Sequence, residues 1–103
     1  MWTVREPKSI EKAVKRLPPR IQEAYHLLIA DLKNDGPEQP GWQNYGKLTT
    51  RKGSPEAHHC HLNSGKPRYV AIWLVKDNTV QVLEVCHVGT HEKTDYKRII
   101  GRI

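Results

Sequence analysis

Residues 57–75 read AHHCHLN, SGKP and RYVAIWLV, which are two strand-like runs joined by four turn-forming residues. The Ser-Gly-Lys-Pro segment favours a tight turn, so the two runs are predicted to pair as an antiparallel hairpin. After Arg68 the second run is apolar on both faces, as is typical of a central strand that helices cover on at least one side. This hairpin therefore predicts the centre of a small β-sheet.

The first run carries three histidines, and the alternation of a strand divides them between the two faces of the sheet. One face is expected to be apolar and structural, and it holds His58, Cys60 and Leu62. The opposite face holds Ala57, His59, His61 and Asn63. Imidazoles titrate close to neutral pH, so His59 and His61, beside the cations Lys66 and Arg68, are suited to exchange protons and to hold an anion.

The segment before the hairpin predicts one strand and two helices. Residues 2–5 alternate between apolar and polar side chains, which indicates a short strand. Residues 9–17 have apolar side chains at helical spacing, with Ser9 as the expected N-cap. Residues 19–34 repeat this spacing and are followed by Gly and Pro, so a second helix is predicted there.

The remaining segments complete the predicted sheet. Residues 37–55 are interpreted as an ordered loop with a short strand near Leu48. The Asp-Asn pair at 77–78 favours a second hairpin, whose return strand covers residues 79–88. Residues 90–103 have apolar side chains at near-helical spacing and predict a short terminal helix.

This order of elements predicts an α+β fold. We expect a small antiparallel β-sheet meander, with two N-terminal helices packed on one face and a short C-terminal helix. At 103 residues the chain has the length of one domain, so a single domain over residues 1–103 is expected.

The amino-acid composition indicates which classes of partner and which cellular compartment to expect. The chain has 17 Lys and Arg against 11 Asp and Glu, a formal charge of +6 that favours an anionic partner such as nucleic acid. No apolar run approaches the roughly 20 residues that span a bilayer, so no membrane partner is expected. Cys60 and Cys86 lie in apolar strand-like runs, and nothing near the N-terminus is typical of a signal peptide. We therefore expect reduced thiols in a cytoplasmic protein.

Two segments together resemble a known family. Residues 59–68 read HCHLNSGKPR and residues 88–96 read VGTHEKTDY. These two segments, together with the predicted order of strands and helices, resemble the sequences of the RelE/ParE toxin superfamily of bacterial type II toxin–antitoxin systems. The resemblance implies a RelE/HigB-like mRNA interferase, a ribosome-dependent endoribonuclease that inhibits translation and is held silent by a cognate antitoxin. It implies no metal and no small-molecule cofactor.

The resemblance also assigns residues. His59 and His61 match strand positions where some members have lysines, and Arg68 matches the arginine that opens the next strand. Tyr96 matches a tyrosine near the C-terminus, and His91 falls where other members have an arginine or a histidine. These five residues are the expected catalytic set. The expected RNA-binding cations are Lys47, Arg51, Lys52, Lys66, Lys97 and Arg98.

The implied reaction is attack of an RNA 2′-hydroxyl on the adjacent phosphate, and it needs a base, an acid and cations. An ordinary imidazole has a pKa of about 6.5 and transfers protons at neutral pH, whereas an ordinary lysine is almost wholly protonated. His59 and His61 are therefore candidates for proton transfer, with His91 as the second partner. Arg68 is expected to stabilise the developing charge, and Tyr96 to stack on a base or to bond to the 2′-hydroxyl.

Three alternatives stay open at this stage. The chain could inhibit DNA gyrase as ParE-like members of the superfamily do, or it could be an inactive homologue that only binds RNA or an antitoxin. A zinc site is disfavoured because neighbouring residues of a strand point apart and no Cys-x-x-Cys spacing exists. The candidate ligands of such a zinc site are His58, His59, Cys60, His61, Cys86 and His87. The histidines outside the expected catalytic set, which are His26, His58 and His87, are interpreted as structural.

Overall fold

A computed structural model describes residues 1–91 and 94–101 of the chain, and it confirms the predicted α+β fold. Five strands form one sheet in the order β1-β5-β4-β3-β2. The strands are β1 (Thr3–Arg5), β2 (Gly46–Leu48), β3 (Glu56–His61), β4 (Tyr69–Asp77) and β5 (Val82–Thr90). The helices are α1 (Lys8–Lys15), α2 (Pro19–Asp35) and α3 (Tyr96–Gly101).

Strands β2 to β5 form the predicted antiparallel meander, and β4 lies at its centre. Five consecutive β4 residues, from Val70 to Leu74, are buried, as the two-sided apolar pattern predicted. Strand β1 pairs with β5 in parallel, which places the N-terminal strand at one edge of the sheet. The other edge is β2, the short strand that was expected near Leu48.

Helices α1 and α2 pack on one face of the sheet and form the main hydrophobic core. The buried side chains of this core from the helices are Ile10, Val14, Ile21, Tyr25, Leu28, Ile29 and Leu32, and those from the sheet include Cys60, Trp73 and Val85. Leu17, between the two helices, and Leu62, just after β3, also belong to this core. Helix α3 lies on the opposite face, where Val70 and Ile72 are fully buried. The sheet is therefore covered on both faces, and α3 covers the face that carries His59 and His61.

Two boundary predictions were wrong. Helix α1 begins at Lys8, with Pro7 in the N-cap position and no side-chain cap, so Ser9 lies inside the first turn. The hairpin between β4 and β5 is longer than the two residues predicted, because Asp77 still belongs to β4. The carboxylate of Asp77 accepts the backbone N–H groups of Thr79 and Val80, at 2.9 and 3.0 Å, and this Asx-type turn delays the return strand.

Helix α2 ends where the sequence predicted, and the following loop is fixed to it. Gly36 follows the helix with φ of 88°, and a Cβ on it would lie 2.7 Å from the indole nitrogen of Trp2, so both conformation and packing require glycine. In the loop, the indole N–H of Trp42 donates to the Asp31 carboxylate at 2.8 Å. The loop between α2 and β2 is therefore ordered, as predicted. None of the helices described over residues 1–91 and 94–101 is long and apolar enough to cross a membrane.

Candidate active site

Strand β3 presents its histidines to opposite faces of the sheet, as the alternation predicted. His58 is fully buried on the α1/α2 face, where its ring stacks on Trp73 at a centroid distance of 6.0 Å. Its two ring nitrogens lie 2.8 Å from the Tyr45 hydroxyl and 2.8 Å from the Glu56 carboxylate. Because both nitrogens have partners and the ring is enclosed, the structure gives His58 the structural role expected from the sequence.

His59 and His61 occupy the α3 face, and the register of the sheet fixes their neighbours. His59 lies opposite Ile72 and His61 lies opposite Val70, so these four side chains share one face. Both apolar partners are fully buried, and His61 is 5% exposed. The two imidazoles and their two apolar partners therefore form part of a floor beneath α3.

The β4–β5 ladder brings two further predicted residues to this end of the sheet. The backbone N–H of His91 donates to the carbonyl oxygen of Arg68 at 2.6 Å, one position beyond the Tyr69–Thr90 pair. Arg68 and His91 therefore lie opposite one another, next to the end of β3. The rings of His61 and His91 are 5.3 Å apart between centroids and meet edge to face.

Helix α3 supplies the fifth residue. The Tyr96 ring lies 5.6 Å from the His59 ring and 6.4 Å from the His91 ring, between centroids. The hydroxyl of Thr94, just before α3, donates to the carbonyl of Thr90 at 2.6 Å and lies 3.1 Å from a ring nitrogen of His87. The structure thus brings together all five residues of the expected catalytic set, and His87 holds the segment that leads to Tyr96.

Burial and neighbouring charge set the protonation of this cluster. Burial lowers the pKa of His59, and the other histidines nearby, His61 first, lower it further. Burial likewise lowers the pKa of His61, with added effects from His91 and Arg68. Burial raises the pKa of the Tyr96 hydroxyl. At neutral pH the floor therefore holds neutral imidazoles and a protonated phenol, while Arg68 carries a fixed positive charge.

The six expected RNA-binding cations are all exposed, but they are not all beside the cluster. Lys47 lies opposite His58 in the register, on the other face of the sheet, and its ammonium lies 3.1 Å from the Glu56 carboxylate. Arg51 reaches α3, where its guanidinium donates to the Gly101 carbonyl at 2.9 Å. Lys52 and Lys66 lie in turns and Lys97 and Arg98 lie on α3.

Gly46 is a contributor that the sequence analysis did not identify. It lies opposite His59 in the β2–β3 pair, and a Cβ on it would be 3.3 Å from the Nε2 atom of His59. The Nδ1 atom of the same ring is buried and has no hydrogen-bond partner among the described residues. The glycine makes room for the imidazole, and only the strand register, which the sequence does not state, could have indicated this.

The other histidines and the cysteines do not form a metal site in the described structure. Over residues 1–91 and 94–101, no three His, Cys, Asp or Glu side chains are grouped so that they could hold a metal ion. His58 and His59 point to opposite faces, and Cys60 is buried in the core with a pKa that burial raises to about 12. His26 is exposed on α2, against the edge of the Tyr25 ring, far in the chain and the fold from the cluster.

Two solved structures have the same fold as this chain. A chain of the archaeal RelE–RelB complex from Pyrococcus horikoshii is 16% identical, with a TM-score of 0.71 over 90% of this chain and 98% of that chain. A mutant of the E. coli toxin RelE in the free state is 17% identical, with a TM-score of 0.68 over 99% of this chain and 97% of that chain. No protein-family model matches the sequence, and no curated protein gives a significant match. The fold is thus the one that the resemblance in the sequence implied.

Proposed function

We propose that this chain is the toxin of a type II toxin–antitoxin system and a metal-independent endoribonuclease that cleaves mRNA on the ribosome. The observation that carries the proposal is the convergence of three imidazoles, one phenol and one guanidinium at the end of the sheet. The rings of His61 and His91 are 5.3 Å apart, and Tyr96 contacts both His59 and His91. This set contains each group that 2′-hydroxyl attack on phosphorus requires.

The proposal assigns the two proton transfers to the His61 and His91 pair. A positive charge on His91 disfavours a second one on His61, so the pair carries one proton more easily than two. His61 is the more enclosed of the two and is the neutral partner, which makes it the general base. His91 is exposed at the edge of the cluster, and it acts as the general acid.

In the proposed reaction, the 2′-oxygen forms a bond to phosphorus while its proton passes to His61. The bond from phosphorus to the 5′-oxygen breaks, and His91 gives that oxygen a proton. The products are a 2′,3′-cyclic phosphate and a 5′-hydroxyl, so atoms and charge balance without a metal or water. The Arg68 guanidinium binds the non-bridging oxygens as their charge increases, and Tyr96, held against His59, orients the reacting ribose.

The fold and charge support the partners in this proposal. RelE-like chains have this fold, and one of the two similar structures is a complex of RelE with RelB. By that similarity we infer a protein antitoxin as the cognate partner. The formal charge of +6 and the exposed cations beside α3 favour binding to messenger and ribosomal RNA, and we infer a cytoplasmic site of action from those partners.

Mapping of mRNA ends on programmed ribosomes tests the proposal. The wild-type chain is expected to produce cuts in the decoding site that end in a 2′,3′-cyclic phosphate, and Arg68→Ala is expected to lose them. Arg20→Ala, which changes an exposed arginine on α2, is the matched control and should cut normally. The absence of cleavage by the wild-type chain would contradict the nuclease function. Growth arrest together with inhibited DNA supercoiling would then favour the gyrase alternative.

A further inference from the structure

A β-bulge in β5 turns His87 toward the face of the sheet that carries the proposed cleavage site. Val85 pairs with Trp73 and His87 pairs with Ile72, so Cys86 is one extra residue in β5. Without the bulge, alternation would place His87 on the same face as Val85, whose side chain is buried in the core. With the bulge, His87 shares the α3 face with its partner Ile72.

Gly89 makes room for the imidazole on that face. A Cβ on Gly89 would lie 3.3 Å from the Nε2 atom of His87 and 3.5 Å from its Cε1 atom. The ring therefore leans along β5, over the position where any other residue would place its Cβ. Its Nε2 atom lies 3.1 Å from the hydroxyl of Thr94, in the segment between β5 and α3.

The hydrogen bonds of Thr94 determine which ring nitrogen of His87 carries the hydrogen. The Thr94 hydroxyl lies 2.6 Å from the carbonyl oxygen of Thr90, which can only accept, so the hydroxyl donates its single hydrogen there. It must therefore accept a hydrogen bond from the Nε2 atom of His87. Burial lowers the pKa of His87, so at neutral pH the ring is neutral and has only this one N–H. We call the two hydrogen bonds that run from His87 through Thr94 to Thr90 the His87–Thr94 bridge.

The bridge fixes the chain where α3 begins. The backbone N–H of Thr94 also donates to the carbonyl of His91 at 3.1 Å. The next residue, Asp95, accepts the backbone N–H of Arg98 with its carboxylate at 3.1 Å, as an N-cap does, and Tyr96 is the first residue of the helix. Six residues are too few to form a stable helix alone, so the position of α3 depends on contacts of this kind.

His87 itself lies at a distance from the residues that would transfer protons. It is opposite Ile72, and Ile72 is opposite His59, so His59 and His87 are two strand spacings apart, or about 10 Å. His91 is four residues further along the chain, which at the rise of a strand is roughly 13 Å. Any effect of His87 on cleavage therefore passes through another residue, and the Thr94 hydroxyl is the group to which it donates.

We propose that His87 is a positioning residue of the cleavage reaction and that it acts through the Thr94 hydroxyl. His91 and Tyr96 flank Thr94 in the chain, and the bridge keeps their rings in contact with the histidines of β3. The sequence pattern had predicted only a structural role for His87. This inference rests on the proposed function, because it takes His91 as the general acid.

Glutamine and asparagine at position 87 form a matched pair that tests the bridge. The amide nitrogen of glutamine falls where Nε2 lies in histidine, so His87→Gln retains the donor to Thr94, whereas asparagine reaches only the position of Nδ1. In single-turnover cleavage on programmed ribosomes, His87→Gln is expected to stay within about 3-fold of the wild-type maximal rate, and His87→Asn to be about 10- to 100-fold slower. The ribosome concentration that gives half of the maximal rate should not change. His26→Asn, on the exposed surface of α2, is the control and should cleave as the wild type does.

Thr94 offers a second pair, which keeps the test decisive if asparagine at position 87 prevents folding. Thr94→Ser retains the hydroxyl and should cleave nearly as the wild type, whereas Thr94→Val removes it and should slow cleavage by a factor similar to that of His87→Asn. The double variant of His87→Asn and Thr94→Val should be no slower than the slower single variant, because both changes break one bridge. Thr79→Val, at an exposed threonine of the β4–β5 hairpin, is the control. Urea denaturation gives the folded fraction by which each rate is corrected.

NMR spectra of the free protein separate this proposal from the nuclease function. Long-range ¹H–¹⁵N correlations are expected to show the Nε2–H form of His87. Cross-peaks between the ring protons of Tyr96 and His59 should persist in His87→Gln and weaken in His87→Asn. If the wild type cleaves no mRNA, the nuclease function fails, and the spectra still decide whether His87 holds α3. The proposal is overturned if His87 carries its hydrogen on Nδ1, if His87→Asn keeps both the cross-peaks and the wild-type rate, or if the folded fraction accounts for the lost rate.

Discussion

His61 and His58 lie on opposite faces of one strand, three residues apart, and exchanging each for glutamine should separate catalysis from stability. Glutamine retains hydrogen-bonding capacity but does not titrate between pH 5 and 8. If His61 is the general base, His61→Gln loses the factor of about 10²–10⁴ that general acid–base catalysis provides, or about 3–5 kcal/mol of activation free energy. The free energy of unfolding should change by less than about 1.5 kcal/mol, because the side-chain volume is nearly conserved.

His58→Gln should have the opposite profile. His58 is fully buried, and the change disrupts its hydrogen bonds to Tyr45 and Glu56 and its stacking on Trp73. The hydrogen bond to Tyr45 contributes about 1 kcal/mol, and the one to Glu56 no more, because that carboxylate is 47% exposed and regains water. With about 0.5–1.5 kcal/mol for the stacking, the loss is about 1.5–3.5 kcal/mol, or roughly 6–28 °C in Tm.

Two measurements on each variant check the pair. Urea denaturation gives the free energy of unfolding, and single-turnover cleavage on programmed ribosomes, below the Tm of both variants, gives the rate. The expected result is a slow, stable His61→Gln and a fast, unstable His58→Gln. The reasoning is refuted if His61→Gln cleaves within a factor of about 3 of the wild type, or if the rate of His58→Gln falls further than its folded fraction accounts for.

The lowered pKa of His61 also predicts how kcat/KM and the free energy of unfolding depend on pH. Burial lowers the pKa of His61 below the ordinary value of about 6.5, so the neutral base persists to lower pH and the acid limb of kcat/KM should have its midpoint below 6.5. In the unfolded chain the imidazole recovers its ordinary pKa and binds a proton that the folded chain rejects. The free energy of unfolding is therefore expected to fall as pH decreases from 7 through 6.5, and less so in His61→Gln. A midpoint above 6.5, or equal pH dependence in both proteins, would contradict this.

Two substitutions on and beside β2 extend these tests. Gly46→Ala puts a Cβ 3.3 Å from the His59 ring and should slow cleavage about 10-fold with little change in Tm. Gly41→Ala is the control, because a Cβ there has no neighbour within 4 Å, and it should change neither the rate nor the Tm. Equal cleavage rates in the two variants would show that the position of the His59 ring does not matter. Tyr45→Phe keeps the ring but removes the hydroxyl that bonds to His58. Urea denaturation should show that the free energy of unfolding falls by about 1–2 kcal/mol, while the cleavage rate stays unchanged. A fall of less than about 0.3 kcal/mol would contradict the hydrogen bond.

The central hairpin could be predicted from sequence because two local signals agree in it. A turn-forming segment at residues 64–67 fixes which runs pair, and the alternation of side chains along β3 fixes its faces, since a slip of one residue would move His59 into the core beneath α1 and α2. The structure confirms both. The convergence of Arg68, His91 and Tyr96 on that face follows from pairing over long sequence distances, and it was expected only because the sequence resembles a known family.

Other features depend on neighbours that the local sequence does not specify. Strand β1 pairs in parallel with β5, some 80 residues later, and a three-residue alternation contains nothing that selects this partner. The role of Gly46 depends on the β2–β3 register. The start of α1 depends on Pro7, whose ring fixes the φ angle at the N-cap position, whereas the sequence pattern predicted a side-chain cap at Ser9. Lys47 was grouped with the cations of the site by charge, and the register places it on the opposite face.

The use of histidine where the resemblance places lysines fits the depth of these positions. His61 is 5% exposed, and its neighbour across the ladder, Val70, is fully buried. An ammonium held at that depth would lose most of its hydration, and its pKa would have to fall by several units before it could accept a proton at neutral pH. An imidazole needs only a small downward shift, and burial supplies it. A floor of neutral imidazoles with the Arg68 cation at its edge would attract a phosphate to the edge and leave a proton acceptor beside it, which is the arrangement that attack by a 2′-hydroxyl needs.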